Sequence, residues 1–255
     1  MNTTVRSRRF DVEFDEGRHP LGKIGFVLLA SEQTVTDDMY KIIPRDFGLH
    51  FARVLSPDVI SNDTLSTLGP ELTRASRSLL PDGSLDVVSY ACTSGSLVLG
   101  EQKVFDCLLE GAPNARASSL ITAVIRAMRS LQIKRVSVLT PYLDEINQAE
   151  KNYLENSGFH VCSIEGFNIS LDSEMVTITP EYLLKAARLV DRQEADAIFI
   201  SCGALRSIDI IEPLEHACGK PVITSNQALA WDVMTLCDYE RPVPGFGVLL
   251  NRQGA

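Results

Sequence analysis

The sequence predicts an α/β fold of parallel sheets with helices on both faces. Two observations indicate this class. Seven short apolar segments alternate with amphipathic helical patterns along the 255 residues, and two of those segments end alike, with an aspartate six residues before a cysteine. Because ligands of open α/β sheets bind at the carboxyl ends of the strands, we expect the functional site at those ends.

The predicted strands are rich in valine, isoleucine, leucine and phenylalanine, as buried strands are. They cover residues 23–30, 49–55, 85–91, 135–140, 160–167, 195–201 and 220–225. Amphipathic helical patterns occupy residues 63–79, 118–131, 143–158 and 180–192. The alternation favours strands that run parallel and are linked by helices.

The two repeated segments are LDVVSYACTSGS and ADAIFISCGALRS, in which Asp86 precedes Cys92 and Asp196 precedes Cys202. Each predicts a buried strand that ends in a thiol, followed by a tight turn into a helix. The backbone N–H groups and positive end of that helix would favour a thiolate, so we expect lowered thiol pKa values. One thiol from each half of a duplicated fold would face the other across a substrate.

The other four cysteines give no such signal. A free cysteine is most often a small core residue, and this is our interpretation of Cys107, Cys162, Cys218 and Cys237. Six cysteines without short paired spacings do not predict a disulfide framework. We therefore expect a reducing, cytoplasmic setting.

Charge and hydropathy exclude several classes of partner. A net charge of -9 argues against a nucleic-acid surface, which needs a basic face. No apolar run approaches the roughly 18 residues of a membrane span. Three N-terminal arginines, Arg6, Arg8 and Arg9, lead into acidic residues without an apolar stretch, so we expect no secretory signal.

Common metal and cofactor motifs are absent from the sequence. It contains no Walker A, HExxH, CxxC or GxSxG pattern, and its four histidines are scattered. We therefore expect neither a metal nor a cofactor. The strand ends offer hydroxyls, amides and small residues instead, which predicts a neutral to mildly positive cleft suited to carboxylate oxygens. These ends are residues 30–34, 91–96, 140–142, 201–204 and 224–227.

In this order and spacing the motifs resemble those of the aspartate/glutamate racemase superfamily, in the branch of maleate cis-trans isomerase and arylmalonate decarboxylase. The resemblance rests on ACTSGS at Cys92, LTPY at Tyr142, SCGALRS at Cys202 and TSNQALAWDVM over residues 224–234. It covers most of the chain from Lys23 onward. The VEFDEG and ASEQT segments also resemble the racemase-like protein of ectoine-utilisation operons.

This resemblance implies a cofactor-independent enzyme of two pseudo-symmetric α/β lobes, with the active site in the cleft between them. Residues 1–125 and 226–255 would form the first lobe, and residues 126–225 the second. The catalytic pair would be Cys92 and Cys202. We also expect a homo-oligomer, a dimer.

Further residues carried over from the family would bind the substrate. Thr93, Ser94 and Tyr142 would bind carboxylate oxygens, and the backbone near Gly203 and Ala204 would hold the developing negative charge. Asn168 resembles the substrate-binding asparagine of maleate isomerases.

Two departures from the family pattern bear on the reaction. Arylmalonate decarboxylases carry glycine at the first thiol position, so Cys92 argues against a decarboxylase. Maleate isomerases carry a carboxylate-binding asparagine in the first loop, where this chain has Glu32 and Gln33. Gln33 would take that role. An inward Glu32 would repel a second carboxylate and attract an ammonium group, whereas the alternative is that it caps the next helix.

We therefore predict an isomerase of a small carboxylate or amino-acid-like substrate. Cys92 would either add to a double bond, as in cis-trans isomerisation, or exchange an α-proton with Cys202, as in racemisation. The alternative from another class is a binding protein that keeps the cleft without turnover. Thiols that react selectively and are protected by ligand would favour the enzyme.

Overall fold

The computed structural model describes residues 4–15 and 17–251, in which eight strands form two four-stranded parallel sheets. The first sheet has the order β2-β1-β3-β4 and the second the order β6-β5-β7-β8. The strands are β1 (Gly22–Leu29), β2 (Phe47–Val54), β3 (Val87–Tyr90), β4 (Arg116–Ser119), β5 (Arg135–Thr140), β6 (His160–Gly166), β7 (Ala197–Ile200) and β8 (Val222–Thr224). The predicted α/β fold of two parallel sheets is confirmed.

Helices flank both sheets and cover most of the remaining chain. They are α1 (Val35–Ile42), α2 (Asn62–Ser66), α3 (Gly69–Ser78), α4 (Thr93–Leu99), α5 (Glu101–Gly111), α6 (Leu120–Ser130), α7 (Asp144–Asn156), α8 (Asp172–Met175), α9 (Pro180–Val190), α10 (Ile211–Cys218), α11 (Ser225–Leu236) and α12 (Gly247–Asn251). A short 3-10 helix precedes α10 at Ile208–Ile210. In the described part of the chain, no helix combines the length and apolar character that crossing a bilayer would require.

The strands that carry the two cysteines occupy matching positions. β3 and β7 each lie between two neighbouring strands, and every residue of both is buried. Burial on both faces explains why their sequences are continuous apolar runs rather than alternating patterns. The strand order is the same in the two sheets, so the chain reaches Cys92 and Cys202 at equivalent sheet edges.

Two local predictions were wrong. β4 was not predicted because its sequence, RASS, lacks the apolar pattern of a strand. It lies at the edge of the first sheet, where the Ser118 hydroxyl donates to Asp232 of α11 at 2.5 Å. The predicted helix over residues 63–79 is divided into α2 and α3, and Pro70 occupies the first turn of α3, where its missing N–H is not needed.

The two proposed lobe boundaries fall inside helices. Position 125/126 lies within α6, and position 225/226 separates the first two residues of α11. Residues 1–3, 16 and 252–255 of the proposed first lobe lie outside the described residues. The exact division of the chain into lobes stays a prediction.

The loop after β2, in the first sheet, contacts the loop after β6, in the second sheet. Val59 and Leu171 form an antiparallel bridge, and the Ile60 N–H donates to the Ser170 carbonyl at 2.8 Å. The Asp58 carboxylate accepts from the Ser173 N–H at 2.9 Å. We call residues 58–60 together with 170–173 the clasp.

Candidate active site

Both cysteines line one small cavity beneath the clasp. Its walls are formed by Leu29, Glu32, Ile60, Ala91, Cys92, Thr93, Ser94, Tyr142, Asp172, Cys202, Gly203 and Ala204. The centre of a water molecule can move through about 20 Å³ of it, which is room for one or two waters. A small organic acid therefore enters only when the cavity widens.

Cys92 is the N-cap residue of α4 and has ordinary extended backbone, with φ -141°. Its sulfur accepts a hydrogen bond from the Gly95 N–H at 3.2 Å and lies 3.6 Å from the Ser94 hydroxyl oxygen. Burial nevertheless raises the pKa of the thiol to about 11, and the Ser94 and Gly95 donors offset this only in part. The predicted lowering of the thiol pKa is therefore wrong, because desolvation outweighs the helix N-terminus.

Cys202 has φ +101°, a region that side chains other than glycine rarely adopt. The helix predicted to follow it directly is absent, and a turn leads instead to the 3-10 helix. Side chains from other segments of the chain hold this turn in place. The Gly203 carbonyl accepts from the Asn226 side chain at 2.8 Å, and the Ala204 carbonyl accepts from the Thr34 hydroxyl at 2.9 Å. These carbonyls are therefore engaged by other segments instead of a local helix.

The Cys202 thiol is also more basic than an exposed cysteine. Burial raises its pKa, and the nearby Asp172 carboxylate raises it further, while the Tyr142 hydroxyl and the Ala204 N–H lower it. The sulfur accepts from the Ala204 N–H at 3.4 Å. Both thiols are therefore protonated near neutral pH unless a bound charge changes their surroundings.

Ser225 connects the two cysteine segments. Its hydroxyl oxygen accepts from the Cys202 N–H at 3.0 Å and lies 3.1 Å from the Thr93 hydroxyl oxygen. The sequence placed Ser225 at a donor-rich strand end but gave it no role. Its position as the first residue of α11 brings it to the junction between the two loops.

Most residues predicted to bind substrate are gathered here. Thr93, Ser94 and Tyr142 are buried in the cavity wall, as are Gly203 and Ala204. The hydroxyls of Thr93 and Ser94, in the first turn of α4, therefore belong to the cavity wall next to Cys92, an arrangement suited to a carboxylate. Their binding roles stay predictions.

Gln33 and Asn168 lie elsewhere. Both are solvent-exposed, and neither belongs to the cavity wall. Asn168 has φ +62°, a backbone conformation that asparagine tolerates better than most residues. Their proposed contacts with substrate would need the surrounding loops to move.

Two carboxylates take the places near the thiols. Glu32 is 5% exposed and lines the cavity, while one of its oxygens accepts from the N–H groups of Thr34 and Val35. Glu32 therefore both faces the cavity and caps the start of α1, so the two alternatives predicted for this residue hold together. Asp172, for which no sequence motif predicted a role, lines the same cavity from the clasp.

The cleft is therefore acidic. The prediction of a neutral to mildly positive cleft was wrong because it counted the donor-rich strand ends and omitted Asp172, which comes from the loop after β6.

A tyrosine was also missed next to the first thiol. The Tyr90 hydroxyl lowers the pKa of Cys92 slightly, against the larger effect of burial. A Cβ atom built on Gly95 would lie 2.3 Å from the Tyr90 hydroxyl oxygen, so glycine is required at that position of α4. The motif YACTSGS contained both residues, but their contact depends on the turn into the helix.

Known proteins are similar to this chain over most of its length. Residues 30–250 match the family model Amdase, arylmalonate decarboxylase. A maleate isomerase from Nocardia farcinica is 28% identical over 245 residues, which cover 91% of this chain and 97% of that protein.

Two solved structures are similar in fold. A mutant of the Nocardia farcinica maleate cis-trans isomerase with a covalently bound succinylcysteine intermediate superposes with a TM-score of 0.83 at 27% identity, covering 90% of this chain and 98% of that one. The maleate isomerase Iso from Pseudomonas putida S16 also has a TM-score of 0.83, at 23% identity and with the same coverage.

Proposed function

Since the chain belongs to the Amdase (arylmalonate decarboxylase) family and is similar to maleate isomerases, we propose that it is a cofactor-independent isomerase of a small carboxylic acid. Cys92 and Cys202 are its two reacting groups. One observation carries this proposal: thiols that follow equivalent strands of the two sheets line the same small cavity, beside the hydroxyls of Thr93 and Ser94.

The first candidate reaction is cis-trans isomerisation. The Cys92 thiolate adds to one carbon of a double bond, and the Cys202 thiol protonates the other carbon, which leaves a single bond free to rotate. The Cys202 thiolate then removes a proton, the double bond re-forms and the Cys92 thiolate leaves. The succinylcysteine intermediate of the Nocardia farcinica relative supports this route.

The second candidate is racemisation or epimerisation at the carbon next to the carboxylate. One cysteine, as thiolate, removes the α-proton, and the other cysteine, as thiol, returns a proton to the opposite face. The buried Glu32 and Asp172 favour this reading, because they suit an amino-acid-like substrate better than a dicarboxylate. In both reactions one thiolate and one thiol are needed.

The two reactions leave different traces in deuterated water. A racemase must place deuterium at the α-carbon of the inverted product, whereas an isomerase must form a transient carbon–sulfur bond on Cys92. Product analysis by NMR and mass spectrometry of the acid-quenched protein measure the two. The Cys92→Ser variant is the control for adduct position. Absence of deuterium, of an adduct and of turnover on every small acid tested would refute the enzyme and favour the binding protein.

A further inference from the structure

The cavity wall carries two acidic side chains and no basic side chain from the described residues. Glu32 and Asp172 are the acidic residues of the wall, and the described residues contribute no lysine, arginine or histidine to it. Arg53 lies near Glu32 but is exposed, and its guanidinium donates to the backbone carbonyls of Leu29 at 3.0 Å and Glu32 at 2.7 Å. It is therefore already engaged with the backbone.

Glu32 has a free acceptor. One carboxylate oxygen accepts from the N–H groups of Thr34 and Val35, whereas the other is buried with no hydrogen-bond partner among the described residues. A buried carboxylate oxygen without a donor is strongly unfavourable, so this atom points to a donor supplied by a ligand.

Asp172 is fixed beside the same space. It is 6% exposed, and one of its oxygens accepts from the Ser31 hydroxyl at 2.7 Å. The clasp positions Asp172, because the Asp172 N–H donates to the Asp58 carbonyl at 3.0 Å. The two carboxylates thus reach the cavity from different loops, Glu32 from the loop after β1 and Asp172 from the loop after β6.

The cavity wall also offers donors, since Thr93 and Ser94 contribute hydroxyl groups to it. From these two sets of groups, and resting on the proposed function, we infer that the substrate is a small amino acid whose carboxylate binds at the Thr93 and Ser94 hydroxyls and whose ammonium group binds beside Glu32 and Asp172. A dicarboxylate would bring a second negative charge to these two acids.

The thiols connect this specificity to reactivity. Asp172 raises the pKa of both Cys92 and Cys202, in each case less than burial does. An ammonium group paired with Asp172 cancels that contribution and so favours the thiolate that the reaction needs. A substrate of the right charge would thereby help to activate the thiols.

Matched ligands test the inference without depending on turnover. Glycine, β-alanine and 4-aminobutanoate differ from malonate, succinate and glutarate only in having an ammonium group in place of one carboxylate. Binding to the Cys92→Ser/Cys202→Ser double variant is measured by isothermal titration calorimetry near neutral pH, with maleate added to the panel. We expect at least one amino acid to bind about tenfold or more tightly than its matched dicarboxylate.

Charge removal should reverse the preference. In the same background, Glu32→Gln and Asp172→Asn should each weaken amino-acid binding by about tenfold or more and strengthen dicarboxylate binding. The exposed acids Asp37 of α1 and Glu174 of α8 supply matched controls, as Asp37→Asn and Glu174→Gln. Should a variant fail to fold, the matched-ligand comparison still decides.

Equal or tighter binding of the dicarboxylates would overturn the inference, and so would failure of both ligand series to bind. Neither result touches the proposed function, which depends on turnover that requires the two thiols. Conversely, tight amino-acid binding with dispensable thiols would support the inference and refute the enzyme.

Discussion

Cys92 and Cys202 occupy equivalent strand ends, yet their segments are held in different ways. Cys92 has extended backbone and begins a regular helix whose own residues, Ser94 and Gly95, surround its sulfur. Cys202 has a strained backbone and no helix directly after it. Its segment is held by Thr34, Ser225 and Asn226, which are distant in the sequence.

The difference shows that two copies of a sequence motif need not be held in place by the same kind of contacts. The first thiol is positioned by local structure, which a short peptide segment largely determines. The second is positioned by tertiary contacts, which can hold a backbone conformation that costs roughly 1–3 kcal/mol. Changes remote from Cys202 should therefore affect it more than comparable changes affect Cys92.

The largest effect is expected from replacing the thiols themselves, which tests whether Cys92 and Cys202 are equally necessary for turnover although different contacts hold them. Cys92→Ser and Cys202→Ser should each lower turnover by about 10³-fold or more and change stability little, because serine is similar in size but a far weaker nucleophile. Steady-state rates and denaturant unfolding measure the two effects. Cys107→Ala, at a buried position of α5 outside the cavity wall, is the control and should spare turnover. Substantial activity in both single variants would refute the two-thiol mechanism.

A second contrast lies just before each cysteine, where the first lobe has Ala91 and the second has Ser201. Near Ser201 lies Glu150 of α7, which is fully buried and whose oxygens have no hydrogen-bond partner in the described residues. Burial raises its pKa to about 7, and the Ser201 hydroxyl lowers it only in part. The folded protein thus keeps this proton to a higher pH than the unfolded chain does.

Stability from this proton is fully present below the unfolded pKa and is lost as the pH rises through about 7. Glu150 alone should therefore lower the free energy of unfolding by about 3 kcal/mol between acid and mildly alkaline pH. Glu150→Gln should flatten this profile, and Asp38, whose pKa burial also raises to about 7, should leave a residual slope. Urea titrations across the pH range measure it.

The control for that profile is Glu145→Gln on the exposed face of α7, which should behave as the wild type. An unchanged slope in Glu150→Gln would show that Glu150 is ionised in the folded protein.

The smallest expected effect comes from replacing one buried serine near each thiol and comparing the losses in stability and turnover. Ser225→Ala removes the partner of the Cys202 N–H and of Thr93, so we expect a loss of about 1–3 kcal/mol in stability and a fall in turnover of roughly tenfold. Ser96→Ala removes a hydroxyl that donates to the Cys92 carbonyl at 2.7 Å. That carbonyl still accepts from the Ser96 N–H at 3.0 Å, so the loss should stay below about 1 kcal/mol.

Denaturant unfolding and turnover of the two serine variants measure this contrast. Equal effects would show that the local contacts of Cys92 matter as much as the tertiary contacts of Cys202.

The sequence was sufficient to predict the strands that carry the thiols, because continuous apolar runs have a strong and local signature. β3 and β7 lie within their predicted segments, and both cysteines reach one cavity. β4 could not be predicted, since its stability comes from pairing with β3 and from contacts with α11 rather than from its own residues.

The sequence predicted the site residues that directly follow a strand, but it did not predict those that other loops bring to the cavity. Asp172 begins a helix of four residues, and only the clasp brings it to the cavity. The thiol pKa values depend on burial, which a local motif does not reveal. The acidic character of the cleft follows from tertiary structure for the same reason.

The position of α11 in the chain has a consequence for biosynthesis. This helix follows all eight strands of the described residues, yet its first residue supplies the hydroxyl between Thr93 and the Cys202 N–H. Domains generally fold as units during synthesis. Both sheets are thus synthesised before the junction exists, and a nascent chain stalled ahead of α11 lacks the hydroxyl that joins the two thiol segments. Catalytic competence therefore requires that α11 has been synthesised.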